Sequence, residues 1–253
     1  ASPVEASVYA RFLLHWQGLV REQGVNADLA RVLRSLEALP LPWSTLVESI
    51  LPARLAGFTT DLLDRESARG RLVWLGERPR GSDDGAIRLI ARERVALLHE
   101  RPAEQAALSP VQAALVHELE RRGASFLTEL ERAARSADPA LTTPDFEAAL
   151  WELVWAGLIT NDTFQPLRAL TRTRAPRLSK RGRDFLAGGR WWLVANLHEH
   201  EPSAEARALA RAELLLDRYG IVAREMAAAD GIPGGIGALY RARPALEAVG
   251  RVR

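Results

Sequence analysis

Between Thr142 and Phe164 the apolar residues Phe146, Leu150, Leu153 and Val154 recur at three- and four-residue steps, the period of one helix face. Thr142, Thr143 and Asp145 offer side-chain oxygens to the first unpaired N–H groups of that helix, and Pro144 suits its opening turn. Gly157 supplies a stop where positive φ is needed, and Leu158-Ile159-Thr160 leaves in extended form. The same punctuation occurs where Glu66–Gly70 leads into Arg71–Trp74 and where Leu246–Gly250 leads into Arg251–Arg253. Three helix–glycine–strand junctions, each preceded by more helix, predict three copies of one module. The module is a helix-turn-helix followed by a β-hairpin wing, so the expected fold is mainly α with small β-hairpins, arranged as tandem winged helices.

The first module reads as follows. Val8, Phe12, Leu13, Trp16 and Val20 predict an amphipathic helix over Val4–Val20, and Asn26 or Asp28 caps a second running to Leu39. A short helix is expected over Ser44–Leu51, capped by Ser44 and stopped by Pro52. Thr59, Thr60 and Asp61 open the helix that ends at Gly70, and strands Arg71–Leu75 and Ala86–Ala91 flank a turn at Gly81–Gly85. In the second module Ser109-Pro110 begins one helix and Ser125 caps the next, which leaves the Thr142 helix in the recognition position. Asn161-Asp162 is the expected wing turn, with Phe164–Leu170 as the return strand. In the third, Arg190–Val194 reads as a strand, and Ala204–Tyr219, Val222–Ala229 and Ile236–Ala248 read as helices. The domains are therefore expected at 1–103, 104–171 and 190–253, joined by a basic linker at 172–189, with the last wing cut short.

Charge sharpens that picture. The net charge is only +2, yet Pro166–Ala195 carries Arg168, Arg172, Arg174, Arg177, Lys180, Arg181, Arg183 and Arg190 against Asp184 alone. That stretch stands at +7 and leaves the rest of the chain at −5. A basic block in an otherwise acidic chain signals a polyanionic partner or a solvated linker. Lys180 is the one lysine, so nearly all positive charge is arginine, a bias that genome composition also produces. With no cysteine there is no disulfide, thiolate metal site or cysteine nucleophile. No apolar run is long enough for a membrane span, and a cytoplasmic, nucleoid-associated location is the default expectation.

Motifs for chemistry are scarce. No GxxxxGK[ST] loop, GxSxG elbow or HExxH pair occurs. The glycine-rich Gly231–Gly237 follows no strand of a βαβ unit and reads first as a flexible turn before a helix. His198-Glu199-His200-Glu201 offers metal-ligand residue types, but Pro202 and the charges favour a solvated turn, and His15, His99 and His117 stand alone on helical patterns, so no metal site is assigned. Among the tryptophans, Trp16, Trp151 and Trp155 fit apolar helix faces. Trp191 and Trp192 adjoin the basic block, where one of the two must face away from a core, and Trp43 lies in a Pro-flanked loop. These three are the candidates for stacking on bases.

Tyr9–Gln17, Ile50–Arg54, Glu152–Asp162 and Arg218–Val222 together resemble the bacterial large helicase-related (Lhr) family, in the region that follows its motor lobes. The resemblance implies a DNA repair helicase moving on single-stranded DNA with ATP and Mg²⁺, neither of which this chain is expected to bind. It also implies tandem winged helices similar to AlkZ-like DNA glycosylases, with uracil glycosylase activity associated with that portion. The AlkZ-like motif is Gln-x-Gln at the end of the second helix. Glu37-Ala38-Leu39 is the best match and departs at both glutamines, leaving Glu37 as the one catalytic candidate and an exposed helix-surface position as its competing reading. The expected function is DNA binding through phosphates, by Arg172, Arg174, Arg177, Lys180, Arg181, Arg183 and Arg190, with Arg88, Arg92, Arg241 and Arg243 at wing or recognition positions. Expected partners are single-stranded or forked DNA and the remainder of the helicase polypeptide. A glycosylase module and a self-associating, protein-contact module are the alternatives.

Overall fold

A computed structural model describes residues 4–20, 28–100, 107–172, 188–198, 200–248 and 250. In chain order its elements begin with α1 (Ala6–Trp16), α2 (Leu29–Leu36), β1 (Leu41–Pro42), α3 (Trp43–Thr45) and α4 (Leu51–Arg54). Then come α5 (Asp61–Ala68), β2 (Leu72–Pro79), β3 (Gly85–Ala91), α6 (Val95–Leu98), α7 (Pro110–Arg122), α8 (Leu127–Ala137) and α9 (Thr143–Trp155). The chain continues through β4 (Ile159–Asn161), α10 (Gln165–Arg172), β5 (Trp191–Leu193), α11 (Ala204–Tyr219), α12 (Arg224–Ala229), α13 (Gly235–Tyr240) and α14 (Arg243–Ala248). Helix dominates, and the strands form two small antiparallel sheets. No described helix is long and apolar enough to cross a membrane. Two compact units emerge, each gathered from separated stretches: 1–39, 48–58 and 200–253 in one, 40–47 and 59–199 in the other. The expected segments 1–103 and 190–253 each contribute to both.

The unit holding the sheets has strand order β1-β3-β2, with Val73 opposite Ile90 and Trp74 opposite Leu89. Trp74, Ile87 and Ile90 are fully buried, and the Trp74 indole N–H donates to the Thr163 carbonyl at 2.9 Å. That bond lets a large ring be buried without stranding its polar edge. Trp43 stacks on Phe164 with centroids 5.5 Å apart. Helices α7, α8 and α9 precede β4, which pairs antiparallel with the distant β5. Ser109 and Gln112 close a reciprocal capping box at α7, and Thr142 Oγ1 accepts the Asp145 N–H at 3.3 Å at α9. Gly157, at φ +70°, turns the chain from α9 into β4 as its position predicts.

The other unit is built on α11, whose Ala208, Ala212 and Leu215 meet Ala227, Leu239 and Leu246 of the three helices that follow and Ala242 in the turn between the last two. Alanines on the facing side let helices approach closely, so this core is tight rather than bulky. Val32 and Leu36 of α2 are also buried. Asp28 caps α2, its carboxylate accepting the Ala30 N–H at 3.2 Å.

Five local expectations need correction. The helix expected to begin at Ser44 begins at Trp43, because the Ser44 hydroxyl is drawn to Asp84 at 2.6 Å. Pro52 does not stop it: after a π-helical turn at Leu46–Ile50 the proline occupies the opening turn of α4, where its missing N–H is harmless. Ser125 is not a cap. It forms an isolated bridge with Trp191, and Phe126 holds the cap position while Glu129 accepts its N–H at 2.9 Å. Phe164–Leu170 is not a return strand. Phe164 and Leu167 are fully buried at helical spacing, and Asp64 accepts the Phe164 N–H at 2.9 Å, so the segment winds into α10. β5 instead pairs with β4, Thr160 opposite Trp192. The predicted Ile236–Ala248 helix is two helices broken at Arg241-Ala242, and the expected final strand at 251–253 lies outside the described residues.

Candidate nucleic-acid interface

Of the basic block, Arg174, Arg177, Lys180, Arg181 and Arg183 lie outside the described residues, as does the side chain of Arg172 at the end of α10. Arg190 is exposed and anchored to Asp162, through its backbone N–H at 2.7 Å and its Nε at 3.0 Å. Arg88 is forked onto Glu77, Nε at 2.6 Å and Nη2 at 2.9 Å. That hydrogen bond holds the Glu77 carboxyl below the usual carboxylate range. The Arg92 guanidinium lies 4.5 Å above the Trp192 ring, so a cation candidate and a stacking candidate occupy each other. Trp191 is fully buried, with its ring edge-on to Trp151. Trp43 is 1% exposed; the Pro-flanked loop that suggested an accessible ring places it in the core instead.

The recognition-position helix α9 is closed to a groove. A Cβ on Gly76 of β2 would stand 2.2 Å from the Val154 carbonyl oxygen, and one on Gly85 of β3 would stand 2.2 Å from the Trp155 ring. The hairpin therefore lies directly on α9, and only glycine permits that approach. The solvent side of α9 shows Asp145 and Glu152, and the helix contains no arginine or lysine. α5 offers Asp61 beside Arg65 to solvent, while its Asp64 is held by Arg168 at 2.7 Å.

Two family models match the chain, each described as "Large helicase-related protein, winged-helix domain": the third such domain over residues 4–92 and the fourth over 201–253. Between them they take in more than half of the sequence. The chain belongs to the large helicase-related (Lhr) family. It is 33% identical over 291 aligned positions to "Lhr helicase/uracil glycosylase" of Escherichia coli (strain K12), covering 99% of this chain and 19% of that protein. It is 32% identical over 274 positions to "Lhr helicase/ probable uracil glycosylase" of Mycolicibacterium smegmatis (strain ATCC 700084 / mc(2)155), covering 98% of this chain and 18% of that one. The chain thus spans about a fifth of the length of these relatives. Winged-helix domains in a helicase family point to a DNA-binding region.

Within the Lhr segments, β2–β3 is the wing of the third domain. Its far end carries Arg78 and Arg80, both exposed and, among the described residues, without a side-chain hydrogen bond or ion pair. Sequence reasoning passed over them by ending the strand at Leu75. β2 in fact runs to Pro79 across a bulge between Gly76 and Arg78, and Pro79 is tolerated because β2 is an edge strand. In the fourth domain α13 and α14 turn Leu239, Ala242 and Leu246 inward and leave Tyr240, Arg241 and Arg243 in solvent. Arg243 is shared with Glu247 at 2.7 Å. Tyr240 was also missed, since an apolar helical pattern gives no sign of which ring escapes the core.

Glu37 is no exposed helix-surface residue. It is 3% exposed at the end of α2, and its carbonyl accepts from Arg218 Nη2. The Arg218 side chain also donates to the Ser35 carbonyl at 2.9 Å and pairs with Asp230, both side chains of the pair being 4% exposed. The Tyr219 hydroxyl donates to Asp230 at 2.8 Å. Burial, with that bond, pushes the Tyr219 hydroxyl up to about 12. His198 is likewise not in a solvated turn, and His99 does not stand alone: His198 is 5% exposed, with its Nε2 3.3 Å from His99 Nδ1. Among the described residues no group of three or more His, Cys, Asp or Glu is placed to hold a metal ion.

Proposed function

We propose that this chain is a DNA-holding region of an ATP-driven Lhr helicase, gripping single-stranded or forked DNA mainly through its phosphates. The observation that carries the reading is the pair of exposed guanidiniums, Arg78 and Arg80, at the end of a wing whose unit keeps its best-formed recognition helix covered and acidic. A protein that presents cations on a wing and carboxylates on α9 positions the backbone without reading bases. The basic stretch Arg172–Arg190 extends the same chemistry, with Arg190 as its described end. ATP and Mg²⁺ belong to the rest of the polypeptide in this reading, since no phosphate-binding loop occurs in the sequence. So does uracil excision. The one carboxylate offered for it here, Glu37, is buried, with its backbone held by Arg218.

The test is an anisotropy titration of the 253-residue chain with single-stranded, duplex and forked DNA, each with and without uracil. The expected result is binding to single-stranded and forked DNA that weakens with salt, ignores uracil and releases no base. Release of uracil without ATP would favour the glycosylase alternative. Self-association on a sizing column with no DNA binding would favour the protein-contact alternative.

A further inference from the structure

The last helical segments of the three expected modules, α5, α9 and α13–α14, differ in their solvent faces. α9 shows carboxylates beneath a covering hairpin, and α5 shows one aspartate beside one arginine. Of these three, only the segment formed by α13 and α14 joins an exposed aromatic ring to exposed arginines. Tyr240 is 61% exposed, Arg241 follows it, and neither side chain makes a hydrogen bond among the described residues. The surface beside the ring is open. Helical side chains lean over the preceding turn, and the residue three positions back is Gly237, where a Cβ would meet nothing within 4 Å. A flat ring beside a bare helix turn, with a free guanidinium next to it, has the form of a shelf for a planar group attached to an anion.

We infer that Tyr240 is a stacking platform for one unpaired nucleobase, with Arg241 on the adjoining phosphate. This rests on the DNA-holding reading and narrows it, because a base inside a duplex cannot lie on the ring, whereas a single strand or the open arm of a fork can supply one. The site reads no sequence, since every base has a π-face.

The 253-residue chain is titrated with single-stranded DNA carrying 2-aminopurine and, separately, with blunt duplex. Wild type is expected to quench the 2-aminopurine on binding. Tyr240→Ala is expected to abolish the quench and weaken single-strand binding by about five- to 150-fold, with duplex binding unchanged, while Tyr240→Phe behaves as wild type. Gly237→Leu, which keeps the ring and fills the open space beside it, is expected to act like Tyr240→Ala. Tyr240→Ala with unaltered single-strand affinity and quench overturns the inference and leaves the DNA-holding reading standing. Equal losses on single strand and duplex also overturn it, since stacking predicts a difference. A wild-type chain that binds neither DNA overturns both.

Discussion

Arg218→Ala is expected to be among the most damaging single substitutions in its unit. The guanidinium pairs with Asp230 where each side chain is 4% exposed, and it satisfies the carbonyls of Ser35 and Glu37 at the end of α2. Removing it leaves Asp230 with the Tyr219 hydroxyl as its remaining side-chain donor and takes a strong donor from two carbonyls. Truncating one partner of a buried ion pair costs about 3–5 kcal/mol, a large part of the ~5–15 kcal/mol that holds a domain folded. For a chain of this size each kcal/mol moves the melting midpoint by about 2–4 °C, so a fall of roughly 6–20 °C follows. Hydrogen exchange should show the loss concentrated in α2 and α12, which the guanidinium joins to α11, with α7–α9 unaffected. A double variant, Arg218→Met with Asp230→Leu, should recover most of the stability, because the stranded charge disappears with its partner. A loss below about 1 kcal/mol in Arg218→Ala, or exchange spread evenly over the chain, would refute the reasoning.

Other outcomes follow from the same geometry. Gly76→Ala should cost about 1–3 kcal/mol or more, because its Cβ would stand 2.2 Å from the Val154 carbonyl oxygen; an unchanged urea midpoint would show that the hairpin does not rest on α9. The Tyr219 hydroxyl titrates at about 12 in the fold against 10.0 ordinarily. The folded state therefore keeps its proton longer than the unfolded state. The stabilisation this gives is complete below pH 10 and is lost as pH rises toward 12. Melting midpoints from pH 8 to 11.5 should thus fall less steeply in Tyr219→Phe than in wild type, and parallel curves would count against the burial of that hydroxyl.

The helices were legible because their signals are local. Ala204–Tyr219 is marked by its apolar stripe and by Gly220, at φ +72°, and Thr142 and Ser109 announce α9 and α7 through caps that need only the next three residues. Failures came where a distant partner decides. Asn161-Asp162 resembles a hairpin turn, yet the partner of β4 is β5, beyond the basic stretch, and Asp64 instead helps wind the intervening residues into α10. Glu37 reads as a surface glutamate because the arginine at its carbonyl is 181 residues away. Trp43 lies in a loop by composition and in a core by its stack on Phe164. Within the candidate interface, Arg88 and Arg92 could be placed on the wing from sequence, but their engagement by Glu77 and Trp192 could not. Arg78 and Arg80 were visible as an Arg-Pro-Arg-Gly run, and they gained meaning only when β2 proved to extend past its bulge.

The salt dependence of DNA binding bears most directly on the claim that exposed arginines hold phosphates. For single-stranded DNA, log K against log salt loses about 0.7 of slope for each phosphate contact removed, or about 1.4 for two. Replacing Arg78 and Arg80 with alanine is therefore predicted to flatten the line by about that amount while weakening all sequences alike. A variant line lying on the wild-type line, with the same slope and intercept, would contradict the account.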